Sequence, residues 1–136
     1  MTTGPALVSI LRQGLYLIAS VHTALDDSEM VRFQHDLVDQ IGEHRSRGVI
    51  IDVAALDVLD SFGSRTLRQI AEMARLRGAS TVIVGIQPDV ALAMVQLGMG
   101  TGSVPTALDL EEGLDYLSRR IDHTRPSPSH RPGPVP

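Results

Sequence analysis

The sequence predicts a single α/β domain, and three observations carry that expectation. Short apolar runs rich in β-branched residues alternate with segments whose apolar residues recur at helical spacing. Glycine, proline or aspartate punctuates nearly every junction between them. A length of 136 residues suits one domain with one hydrophobic core. Strands that alternate with helices imply parallel neighbours joined by right-handed crossovers.

A hairpin opens the chain: Ala6–Leu11 and Leu15–Val21 are apolar runs separated by Arg12-Gln13-Gly14. Asp26 starts the first helix. It has capping-box spacing to Glu29, and Leu25 and Met30 are placed as the hydrophobic staple. Met30, Phe33, Leu37 and Ile41 form the buried stripe; the helix should fade through Arg45–Arg47 and stop at Gly48. Val49–Val53 reads as a central strand. After the loop Ala54–Asp60 a second helix begins near Ser61, turns Leu67, Ile70, Ala71 and Ala74 inward, and ends at Gly78.

Ser80–Val84 is the next strand. Pro88, tolerated in a first helical turn, begins a third helix that buries Val90, Met94 and Leu97 ahead of Gly98. Ser103–Thr106 suits a short edge strand, where Pro105 does least harm. The last helix starts at Asp109, has Glu112 three residues on, and buries Leu110, Leu114, Leu117 and Ile121. The expected architecture is a mixed central sheet of about five strands, an antiparallel hairpin followed by βα units, with about four helices. The domain should occupy residues 1–122. Residues 123–136 hold five of the eight prolines and one aliphatic side chain, a composition expected to stay disordered.

Composition removes several function classes. With no cysteine there is no disulfide, thiolate nucleophile or zinc-thiolate site. All 12 basic residues are arginine, so a Walker lysine and Schiff-base chemistry are excluded. A formal charge of −4, two tyrosines, two phenylalanines and no tryptophan argue against nucleic-acid binding. No apolar run reaches the ~18–20 residues of a membrane span, and no signal pattern follows Met1; a cytoplasmic protein is expected. His22, His35 and His44 do not fall at paired-ligand spacing, and His123 and His130 lie in the tail, so neither metal nor cofactor is expected.

Function in an open α/β sheet gathers at the carboxyl ends of parallel strands. There the sequence places Asp52, Asp57, Asp60 and Ser61. Three readings fit them. The carboxylates could form a metal or acid–base site of a small hydrolase. Ser61 could be only the N-cap of its helix, accepting from the backbone N–H of Gly63 or Ser64. Or the hydroxyl could be a switch: phosphorylation adds about −1.5 to −2 charges at pH 7, which the helix N-terminus tolerates and an acidic or apolar partner surface does not. Arg65 and Arg68, within two turns of Ser61, suit either a solvated helix face or pairing with a phosphate or an acidic kinase surface. Phe62 suits either core packing or an aromatic interface anchor.

The stretch V-I-I-D-V-A-A-L-D-V-L-D-S-F-G (Val49–Gly63) resembles the phosphorylation segment of STAS domains, the anti-sigma-factor antagonist family. G-I-Q-P-D-V-A (Gly85–Ala91) with Leu97-Gly98, and T-A-L-D-L-E-E-G-L (Thr106–Leu114), resemble its stressosome scaffold branch. The single-domain arrangement is similar to the RsbS type rather than to the RsbR type, which carries an N-terminal sensor domain. The likeness runs from about Leu7 to Ile121.

The resemblance implies a STAS fold and a non-enzymatic scaffold, with Ser61 at the phosphoacceptor position and Asp60 at the acidic residue before it. It further implies co-assembly with RsbR-type paralogues, retention of an RsbT-type serine kinase until Ser61 is phosphorylated, and resetting by an RsbX-type phosphatase. Asp60, Phe62, Arg65 and Arg68 become the candidate partner-binding residues. Val84 departs from relatives that carry a threonine there. The alternative within the family is a simple antagonist that binds an anti-sigma kinase one-to-one.

Overall fold

A computed structural model describes residues 6–124. The elements follow in the order β1 (Val8–Gln13), β2 (Tyr16–Val21), α1 (Asp27–His44), β3 (Gly48–Asp52), α2 (Ser61–Leu76), β4 (Ser80–Val84), α3 (Pro88–Gln96), β5 (Thr106–Ala107) and α4 (Leu110–Thr124). The five strands lie side by side in chain order, β1 antiparallel to β2 and the other neighbours parallel. This is the mixed α/β architecture that the sequence predicts. The tail predicted from 123 onward falls almost wholly outside the described residues.

Alternation along the central strands sorts side chains between two layers. Leu17, Ala19 and Val21 of β2, Val49 and Ile51 of β3, and Ile83 of β4 meet Met30, Phe33, Leu37 and Ile41 of α1 and Leu67, Ile70 and Ala74 of α2. Ile18, Ile50, Val82 and Val84 face the other way and meet Leu117 of α4. Both faces are therefore covered, which is why Val49, Ile50 and Ile51 read as an unbroken apolar run.

Several expected boundaries shift, each for a packing reason. α1 ends at His44, capped by Arg45 in the left-handed region (φ 51). Gly48 does not stop that helix; it is the first residue of β3, where a Cβ would stand 2.8 Å from the Tyr16 ring. β5 is only Thr106–Ala107, and Pro105 serves as an acceptor, its carbonyl taking the Ile83 N–H at 3.0 Å. α4 rests on the sheet through Gly113, where a Cβ would meet Val84 Cγ1 at 2.7 Å, and through Leu117. Leu110, one turn before that contact, is exposed rather than buried, as is Leu97 beyond the end of α3.

Candidate functional site

The site is assembled where β3 gives way to α2. Val53 donates its N–H to the Val84 carbonyl and Leu56 its N–H to the Val53 carbonyl, each at 3.0 Å, while both side chains are buried. The first half of the loop is therefore anchored to the sheet. The Asp52 carboxylate accepts from the Ala54 N–H at 2.9 Å. From the neighbouring loop, Gln87 Nε2 donates to the Ala54 carbonyl at 2.8 Å. Gly85 permits that crossing: its φ is +83, and a Cβ there would lie 2.8 Å from the Ala54 Cβ. Above this fixed base, Asp57, Val58, Asp60 and Ser61 are exposed.

The helix start differs from the expectation. Asp60, not Ser61, is the N-cap: its backbone is extended and its Oδ1 accepts from the Gly63 N–H at 2.8 Å. The Asp60 carbonyl also takes the Ser64 N–H at 2.9 Å. Aspartate and serine cap about equally well, so the anchored loop decides which of two adjacent candidates holds the extended backbone. Ser61 becomes the first helical residue, exposed, with no side-chain hydrogen bond among the described residues.

All four helices begin at the carboxyl end of the parallel strands, and three of them carry an acid in the first turn: Asp27 and Glu29 in α1, Asp89 in α3, Glu111 and Glu112 in α4. α2 has none. α1 closes a full capping box between Asp26 and Glu29, whereas the corresponding position of α2 is Gly63. No longer side chain fits there without movement, since a Cβ would meet Leu59 Cδ1 at 2.8 Å. The positive end of α2 is thus offset by Asp60 alone, and Ser61 is the exposed hydroxyl beside it.

Phe62 is half-buried and packs against the α1–α2 side of the core, with the Arg65 guanidinium 5.9 Å from its ring centroid. Arg68 does not turn toward Ser61. Its Nη1 donates to the Gly100 carbonyl at 2.6 Å, which ties α2 to the loop after α3. Seven residues of helix also separate it from Ser61 by about 10 Å along the axis. The structure therefore groups Asp60 and Ser61 at one rim, Phe62 and Arg65 on its flank, and Arg68 elsewhere. The carboxylates of the metal reading are used differently: Asp52 and Asp60 are turned onto backbone amides. Among the described residues, no group of three His, Cys, Asp or Glu side chains is arranged to hold a metal, and no helix is long and apolar enough to cross a membrane. Sequence reasoning missed the Gln87–Ala54 staple and the absent first-turn acid of α2. The second was readable from Ser61–Ser64 (S-F-G-S), which offers no acid three residues after either candidate cap.

Fold and site define a mixed α/β domain whose distinguishing surface is an open, well-capped helix start. The sequence profile of the STAS domain matches residues 8–113, and the chain belongs to that family. It is similar to a serine-to-glutamate variant of RsbS from Moorella thermoacetica, with 33% identity, a TM-score of 0.74, and coverage of 86% of this chain and 99% of that one. A chain from a structure of the stressosome, described as a signal integration and transduction hub, matches at 31% identity and TM-score 0.67, covering 83% of this chain and 98% of that one. Among curated proteins, the RsbT co-antagonist protein RsbRA of Bacillus subtilis is 31% identical over 98 residues, 72% of this chain and 36% of that protein. The chain spans about a third of the length of the RsbR relatives it matches.

Proposed function

We propose that this chain is an RsbS-like, non-enzymatic scaffold of a cytoplasmic stressosome, switched by phosphorylation of Ser61. In this reading it co-assembles with RsbR-type STAS proteins and holds an RsbT-type serine kinase against the rim formed by Asp60 and Ser61, with Phe62 on its flank. Arg65 contributes from the flank. The kinase phosphorylates Ser61, leaves, and acts downstream in a sigma-factor cascade; an RsbX-type phosphatase restores the hydroxyl.

The observation that carries the proposal is the division of labour at the start of α2. Asp60 makes the cap, so Ser61 can be modified without uncapping the helix. A phosphate at Ser61 supplies the first-turn negative charge that α2 lacks, which favours the helix, while the surface becomes more acidic beside Asp60. Fold is retained and recognition changes. The matches to RsbS, to the stressosome chain and to RsbRA support the choice of partners.

The test is intact mass spectrometry after incubation with ATP and a purified RsbT-type serine kinase, followed by fragmentation. One phosphate on Ser61 is the expected result. No phosphate, or a phosphate confined to Ser127 or Ser129, overturns the switch. Gel filtration with an RsbR-type partner then separates scaffold from simple antagonist: the first elutes as a very large assembly, the second as a monomer or small dimer.

A further inference from the structure

A cleft of about 610 Å³ lies away from the Ser61 rim, between α2, the start of β4, the loop before β5, and α4. β5 pairs only with Ile83 and Val84, so the first half of β4 has no strand beside it on that edge. α2 lines the opening with Arg65, Arg68 and Arg75, and α4 lines it with Arg120. The one acidic residue in the lining is Glu72, and Arg75 already pairs with it at 2.9 Å. Arg68 is aimed by its bond to the Gly100 carbonyl, and Arg120 Nε points at the Ser80 hydroxyl at 3.3 Å. Thr81, also in the lining, is only 6% exposed, and its hydroxyl has no hydrogen-bond partner.

We infer that this cleft binds a phosphate-class anion. Each guanidinium presents five donors in a planar fork that matches phosphate oxygens, and the contacts above direct Arg68 and Arg75 while using only part of their forks. A concave site with an excess of positive charge and low-dielectric walls concentrates anions. Buried hydroxyls are normally satisfied, and Thr81 is the one of three unpartnered buried hydroxyls that lies in this lining, where a small rotation would bring it to a bound anion. The site does not depend on phosphorylation of Ser61, and it shares only Arg65 with the flank of that rim.

The experiment is an amide NMR titration of the full chain with sodium pyrophosphate, against sodium chloride at matched ionic strength. A second arm uses a short phosphoserine peptide and its unphosphorylated twin. Pyrophosphate is expected to move the amides of Arg68, Thr81 and Ser103, with affinity falling about tenfold or more in Arg65→Gln and in Arg120→Gln. Thr81→Val replaces the unpartnered hydroxyl with a methyl group, should fold at least as stably as the parent, and should weaken binding severalfold. If the phosphopeptide alone produces the same shifts, the anion is borne by a protein; if pyrophosphate alone does, it is a free small molecule. Equal shifts from chloride, shifts confined to the adjoining depression lined by Arg45, Arg47 and Arg77, or unchanged binding in Arg65→Gln and Thr81→Val would overturn the inference.

Discussion

The two ends of one helix face behave oppositely. At its start, α2 presents Ser61 beside Asp60, with exposed Val58 near it and the acids of the other helix N-termini at the same end of the sheet. Farther along, the stripe Arg65, Arg68 and Arg75 belongs to a cationic cleft shared with Arg120 of α4. Along the sequence Arg65 and Arg68 stand within two turns of Ser61 and suit a phosphate there. In three dimensions Arg68 is committed to Gly100, and only Arg65 lies within a turn of the serine. The difference teaches that charge near an acceptor in sequence is a weak guide to charge around it in space. Under the proposed function, a phosphate on Ser61 would join Asp60 at an acidic rim and act by repelling a partner, since Arg68 is held at Gly100.

The largest expected effect should separate these regions. Leu117 is fully buried against Ile18, Ile50, Val82 and Val84, and it seats α4, the far wall of the cleft. Leu117→Ala should cost about 2–5 kcal/mol in urea denaturation. At temperatures where the variant is folded, faster amide exchange should appear in α4 and the cleft, while labelling of Ser61 by the kinase continues. Loss of labelling in the folded variant would show that the rim depends on the cleft.

Next in size is the switch itself. Under the proposed function, Ser61→Asp should weaken kinase binding about tenfold or more, since like-charge juxtaposition costs several kcal/mol across an interface. The thermal midpoint should hardly move, because aspartate suits a first turn. Equal kinase affinity in a pull-down or calorimetric titration contradicts the repulsion argument.

Asp60→Ala and Ser61→Ala test the division of labour directly. The first removes the acceptor for the Gly63 N–H and should cost about 0.5–2 kcal/mol. The second should stay within about ±0.5 kcal/mol, as for an exposed residue with no partner, while abolishing phosphorylation. Reversed costs would return the cap to Ser61, where the sequence alone placed it.

That misplacement shows which parts of the chain are locally specified. The α1 start is legible because Asp26 and Glu29 write both halves of a capping box into four residues. The α2 start offers two adjacent caps, and the choice rests on Val53 bonding to Val84, a contact between strands that no local pattern encodes. The strand order follows from alternating elements, so the fold was largely readable. The inward face of each helix was readable only where the sheet lies beneath it: Leu117 and Ile121 are buried, while Leu110 overshoots the sheet and is exposed. The cleft was invisible because Arg120, Thr81 and the α2 arginines come together only across the open edge of β4.

The smallest effect compares the two caps through pH. Asp26 is held below the ordinary aspartate value of 3.8, first by the Glu29 N–H and then by the Ser28 hydroxyl. A folded-state pKa below the unfolded one means that the carboxylate stabilises the native state above the unfolded value. The contribution is lost as pH falls through the folded value. Asp26→Asn keeps an oxygen acceptor but has no charge to lose. Its midpoint should therefore lie slightly below that of the parent at neutral pH, and the gap should close as acid protonates the parent's carboxyl. Thermal melts from neutral pH to below 3.8 measure that gap. A gap that stays constant assigns the α1 cap to hydrogen-bond geometry rather than charge, and removes one support for the charge-based account of Ser61 at the start of α2.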